Sequence, residues 1–135
     1  MSTALDRLKK YNQNRILKAW MCIALANGPL TKEEKYILRL RCDTILLPHE
    51  WIEKLCEEPP SLNELDYTEL TRPEISLTQS VGYALAASQG TEDPQKFGVY
   101  LELCAMLGIP EMRRTAMERS VRSLFLSEDF PVTEK

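Results

Sequence analysis

The sequence predicts an all-α fold: a single-domain helical bundle, residues 1–135, built from two similar three-helix units. Three observations carry this. Apolar residues recur at steps of three and four along most of the chain, the spacing of one helix face. Strand signals are missing, since β-branched residues are scarce, alternation is absent and no hairpin turn pair separates two apolar runs. Gly, Pro and capping residues also fall at matching places in the two halves.

The first helix places Leu5, Leu8, Asn12, Ile16, Trp20, Ile23 and Ala24 on one face. It should stop around Asn27-Gly28, which tolerate the left-handed conformation that closes a helix, and Pro29 prevents continuation. Thr31 and Glu34 have the spacing of a capping box, in which hydroxyl and carboxylate each satisfy an orphan backbone amide. The second helix then turns Ile37, Leu40, Arg41, Thr44 and Ile45 inward. Pro48 is expected in the first turn of a third helix that buries Trp51, Ile52, Leu55 and Cys56 and ends at Glu57-Glu58-Pro59-Pro60.

Residues 57–76 read as a connector, acidic and Pro-bearing, with six carboxylates against Arg72. A second capping-box spacing, Ser61 to Glu64, predicts a short helix from about Leu62 to Leu70, and Pro73 bars it from running on. The next helix is expected over about Leu77–Ser88, closing at Gln89-Gly90. Asp93 and Pro94 supply an N-cap and a first-turn proline. The helix they open carries Phe97, Tyr100, Leu101, Cys104 and Leu107 on its apolar face and stops at Gly108. Pro110 opens the last, with Met117, Val121, Leu124 and Phe125 inward. The units are thus 16–56 and 77–126, with a frayed tail over 127–135.

Sliding the chain by 62 residues aligns the halves without a gap. Gly28 meets Gly90, Thr31 meets Asp93, Cys42 meets Cys104 and Pro48 meets Pro110, while Ile23, Ile37 and Leu47 meet Leu85, Val99 and Ile109. Every expected helix boundary coincides. The period is too long, and the copies too few, for a solenoid.

Composition narrows the function classes. With 44% hydrophobic and 27% charged residues the chain is globular in character, and its net charge of −3 argues against nucleic acid as a partner. No run of 18 apolar residues is present, so no spanning helix is expected, and the polar N-terminus lacks a secretory h-region. Cys22, Cys42, Cys56 and Cys104 form no CxxC pair and read as small buried thiols of a cytoplasmic protein.

The segments 23–38 (IALANGPLTKEEKYIL), 84–97 (ALAASQGTEDPQKF) and 101–110 (LELCAMLGIP) together resemble the tellurite-resistance TerB-like family over about residues 15–125. The resemblance implies a small all-α protein with two pseudo-symmetric halves. It also implies links to stress and membrane-associated complexes and, in some members, metal binding through surface acids. The family's corner has the form Ala-Asp-Gly; here Asn27 and Gln89 stand in the acid's place, which removes charge that a hard cation wants.

The corners therefore read first as punctuation, with Asn27, Gly28, Gln89 and Gly90 as corner residues. Glu33, Glu34, Glu92 and Asp93 are the acids that could hold a divalent metal; no other cofactor is expected. His49, with Glu50 and Glu53 beside it, could form a metal pair or an acid–base dyad, but no nucleophile elbow or third ligand accompanies it. Arg113, Arg114, Arg119 and Arg122 on the last helix could form an interaction patch. Trp20, Trp51 and Tyr100 lie at core spacing. The reading that results is a non-enzymatic helical interaction module, binding a protein partner or a second copy of itself. The alternatives are a metal-responsive protein and a small enzyme with a pocket between its halves.

Overall fold

Two helices, each packed on several faces at once, form the centre. They are α1 (Ala4–Ala24) and α4 (Arg72–Ala86), described with the rest of the chain by a computed structural model covering residues 4–88 and 90–126. Side chains are described within 12–88 and 90–124, so those of Leu5, Leu8 and Phe125, together with Gln89 and the tail 127–135, lie outside the described residues. Around the central pair stand α2 (Lys32–Thr44), α3 (Glu50–Glu57), α5 (Pro94–Met106) and α6 (Glu111–Leu126). Among the described residues there are six α-helices, one 3-10 turn at Leu62–Glu64 and no strand. Among the described residues no helix is long and apolar enough to cross a membrane.

At the crossing of α1 and α4, Trp20 is fully buried and its indole N–H donates to the Thr78 carbonyl at 3.1 Å, so the ring carries no unsatisfied donor into the core. Gly82 makes the close approach feasible: a Cβ there would lie 2.9 Å from Ile23 Cδ1. Asn12 ties the far end of α1 to the start of α4, donating to the Glu69 carbonyl at 3.0 Å and to Glu74 Oε1 at 3.1 Å.

Helix starts follow the capping chemistry. Thr31 and Glu34 form the reciprocal box expected of them, and Asp93 accepts from the amides of Gln95 and Lys96 with Pro94 at the first position of α5. The other expected box fails. Ser61 makes no side-chain cap, the segment closes only the 3-10 turn, and the box lies instead at Thr71 and Glu74. Pro73 therefore sits inside the first turn of α4, where its missing N–H costs nothing, and α4 begins at Arg72 rather than near Leu77. Pro48 lies just before α3 and its carbonyl accepts from Trp51.

Several positions 62 apart behave alike. Helix α2 runs from 32 to 44 and α5 from 94 to 106, both bounds shifted by 62. The amide of Leu47 bonds the Cys42 carbonyl and that of Ile109 the Cys104 carbonyl; Gly28 and Gly90 both have positive φ, 118° and 93°. Leu46 has φ 60° where Gly108 has 73°, so a leucine occupies the left-handed conformation that its counterpart meets with glycine. Among the described residues, two polar contacts join 62-related residues directly: Asn12 with Glu74, and a buried ion pair in which Lys96 Nζ meets Glu34 Oε2.

The buried faces differ from the periodicity in three places. On α2 the core takes Glu34, Leu38 and Cys42, with Ile45 just beyond; Ile37 and Arg41 are half-buried, and Leu40 and Thr44 are exposed. On α5 Leu103 is buried and Leu101 exposed, and on α6 Val121 is buried while Leu124 is 71% exposed.

Removing one member of the Glu34–Lys96 pair strands a buried charge. Glu34→Gln or Lys96→Met alone should therefore cost about 3 kcal/mol, and the double variant should recover most of it, as read by urea denaturation. Additive losses in the double variant would refute the coupling. Leu46→Gly should stabilise by up to about 1 kcal/mol, because it relieves the left-handed leucine and the 76% exposed side chain packs little. A fall in the urea midpoint would contradict that.

Candidate functional site

The two corners meet. Asn27 Nδ2 donates to Asp93 Oδ2 at 2.8 Å, while Glu34, whose Oε1 accepts the Thr31 amide at 2.8 Å, is held from the other side by Lys96. The candidate acids do not converge on a shared point. Asp93 is engaged by the cap and by Asn27, Glu34 by its box and Lys96, and Glu92 by the Tyr83 hydroxyl at 2.5 Å. Glu33 is exposed on α2. Among the described residues no group of three or more His, Cys, Asp or Glu is placed to hold a metal ion. The Lys96 amide above all, then the Asn27 side chain, the Gln95 amide and the Lys96 charge, hold the Asp93 carboxyl below its ordinary value.

His49 pairs with Asp43, its Nε2 at 2.7 Å from Oδ1, on an exposed surface; Glu53 lies 4.0 Å from Arg39 instead. The four cysteines are free thiols. Burial pushes Cys22, Cys42 and Cys104 up to about 11, so their nucleophilic thiolates are scarce at neutral pH. The arginines of α6 divide. Arg113, Arg119 and Arg122 are exposed, whereas Arg114 turns inward, bonds Glu118 and lies over the Phe97 ring at 6.0 Å. Trp20 and Tyr100 are buried, and Trp51 is half-buried with Lys54 over its ring.

The largest concavity described lies between α2 and α6, which both pack on α4. It is a groove of about 930 Å³. Small residues of α4, Ser80, Val81 and Ala84, with Ala87 and Ser88 of the turn that follows it, form the floor; Tyr36, Ile37 and Leu40 of α2 face Val121 and Leu124 of α6 across it. Tyr36, Leu40 and Leu124 are 69%, 47% and 71% exposed, a concentration of large apolar surface on one concave face. Lys32, Glu33 and Arg41 stand on its rim. An adjoining recess of about 260 Å³ shares Ala84, Ala87, Gly90 and Val121 and adds Tyr83, Glu92 and Arg122.

The periodicity assigned Leu40 and Leu124 to the core; the structure makes them groove walls. The sequence held a signal, since Tyr36 and Leu40 are four apart and lie off the arc set by Leu38 and Cys42.

A second cavity, about 270 Å³, is lined by α1, α5 and the connector. Its lining includes Cys22, Leu25, Val99, Glu102, Pro59 and Leu62, each 62 residues before or after a groove residue: Ala84, Ala87, Ile37, Leu40, Val121 and Leu124. There the chain turns at Pro59-Pro60 and lays Leu62 onto α1. Cys22 Sγ donates to the Pro60 carbonyl at 3.3 Å, and Leu62 is 7% exposed. His49 lines none of these three cavities.

Comparison with protein-family models, with curated proteins and with solved structures finds no match. The geometry therefore carries the functional reading.

Asp93 has a folded-state value below its unfolded one, so its contribution is present above about pH 4 and lost as pH falls through the folded value. Asp93→Asn retains a capping oxygen and loses the charge. Urea midpoints between about pH 7 and pH 2.5 should fall less steeply on the acid side in the variant. An acid limb identical to that of the wild type would show that Asp93 does not contribute to it.

Proposed function

We propose that the chain is a non-enzymatic helical protein-interaction module of the TerB-like kind, cytoplasmic and stress-related, whose working surface is the α2–α4–α6 groove. The observation that supports it is the open apolar groove itself, walled by Tyr36, Leu40 and Leu124 and floored by small residues. A concave surface of this composition excludes water poorly on its own and gains by receiving apolar side chains of a partner. Its rim charges orient that partner rather than supply chemistry. The exposed His49–Asp43 pair and the protonated thiols stand outside it.

Tyr36→Asp with Leu124→Asp tests the reading at exposed positions, where substitution leaves stability nearly unchanged. The wild type should retain a partner from its host. The purified partner should shift amide resonances of α2, α4 and α6, and the double variant should bind it at least roughly tenfold more weakly. Shifts centred on another face, or equal binding by the variant, would overturn the proposal. So would turnover of a substrate that depends on His49.

A further inference from the structure

We infer that the groove receives an acidic, proline-bearing segment of a partner protein that presents a leucine-sized aliphatic anchor. This deepens the proposed function and rests on it. The occupant is identified by the segment that narrows the counterpart cavity. At the position 62 residues earlier, the chain's own connector leaves α3, turns at Pro59-Pro60 and buries Leu62 against α1, with Glu57, Glu58 and Glu64 around it. In the second half the helix does not break. Val121 stands where Pro59 does, α6 runs on to Leu126, and Leu124, the counterpart of Leu62, stays 71% exposed. One groove is narrowed in cis to about 270 Å³ by the connector that lines it; its counterpart uses corresponding positions and stands open at about 930 Å³.

Charge sets the flanks of the ligand. Lys32, Arg41 and Arg122 border the open groove and its recess, at positions where the narrowed cavity's half carries Pro94, Leu103 and Pro60. Glu33 is the one carboxylate among the groove's own lining residues, and Glu92 in the recess is held by Tyr83. An acid-flanked segment therefore meets more positive than negative charge. The floor leaves room for the anchor: Ala84 and Ala87 line the open groove where the larger Cys22 and Leu25 line its counterpart.

The probe is a fluorescein-labelled peptide of residues 57–70, EEPPSLNELDYTEL, titrated by anisotropy into the full chain, with amide shifts mapped at saturation. Saturable binding with shifts on α2, α4 and α6 is expected. Leu124→Asp in the protein, or an Asp in place of Leu62 in the peptide, should weaken it by roughly tenfold or more. Arg41→Glu should weaken it and reduce its salt dependence.

Failure to bind at millimolar peptide would overturn the inference, as would shifts on α1 and α5, which would mean exchange with the chain's own connector. In either case a protein partner that maps to the groove would leave the proposed function standing. Full-chain Phe130→Asp should leave peptide affinity unchanged. A gain of roughly tenfold would make the chain's own tail the occupant and refute a partner segment. A concentration-dependent dimer abolished by Leu124→Asp would refute it in favour of a second copy.

Discussion

The contact on which the rest depends is the buried pair of Glu34 and Lys96. Both side chains sit in the first turn of their helices, at corresponding positions of α2 and α5, and both are almost wholly removed from water. Two separate charges so placed would each carry a large desolvation cost; together, with the Thr31 amide on the remaining carboxylate oxygen, they are satisfied. That satisfaction requires both helices to begin at the same point beside the α1–α4 crossing. The positions of α2 and α5, and hence one wall of each cavity, follow from it.

Local signals were legible in the sequence, and those that needed three-dimensional context were not. Thr31 with Glu34, and Asp93 with Pro94, announce helix starts because capping involves only residues three or four apart. Ser61 with Glu64 has the same spacing without forming a box, because Leu62, Tyr67 and Leu70 are drawn into the core and the backbone follows them. The floor of the groove could not be read from α4 alone. That helix serves four neighbours at once, and periodicity does not say which side is left partly uncovered. Glu34 and Lys96 were also hidden, since a charged residue in a first turn normally reads as solvated.

The difference between the halves has a simple local cause. A helix that meets two prolines must end, and the chain then has to go somewhere; after Glu57 it folds back across α1. Helix α6 has Val121 and Arg122 at the corresponding places, both acceptable inside a helix, and it continues. The two cavities differ less in their walls than in whether the chain is forced to turn into them. Leu62 and Leu124 show the consequence: the same residue type at corresponding positions is buried in one case and exposed in the other.

An open groove of this kind is useful only if it does not collapse. Collapse would require α2 and α6 to approach each other across the face of α4, and each is held elsewhere. The Glu34 bond to Lys96 holds α2 toward α5. On α6, Gln79 donates to the Arg114 carbonyl at 3.2 Å and Val121 is buried against the core. The floor helix is packed against α1, α5 and α6, so it has little freedom to rise. The walls are therefore held by interactions that need no ligand, and a ligand that enters need not bear the entropy of assembling its own site. A surface fixed in this way selects by shape, and the shape that the molecule already accommodates elsewhere is that of its own proline-bent, leucine-bearing connector.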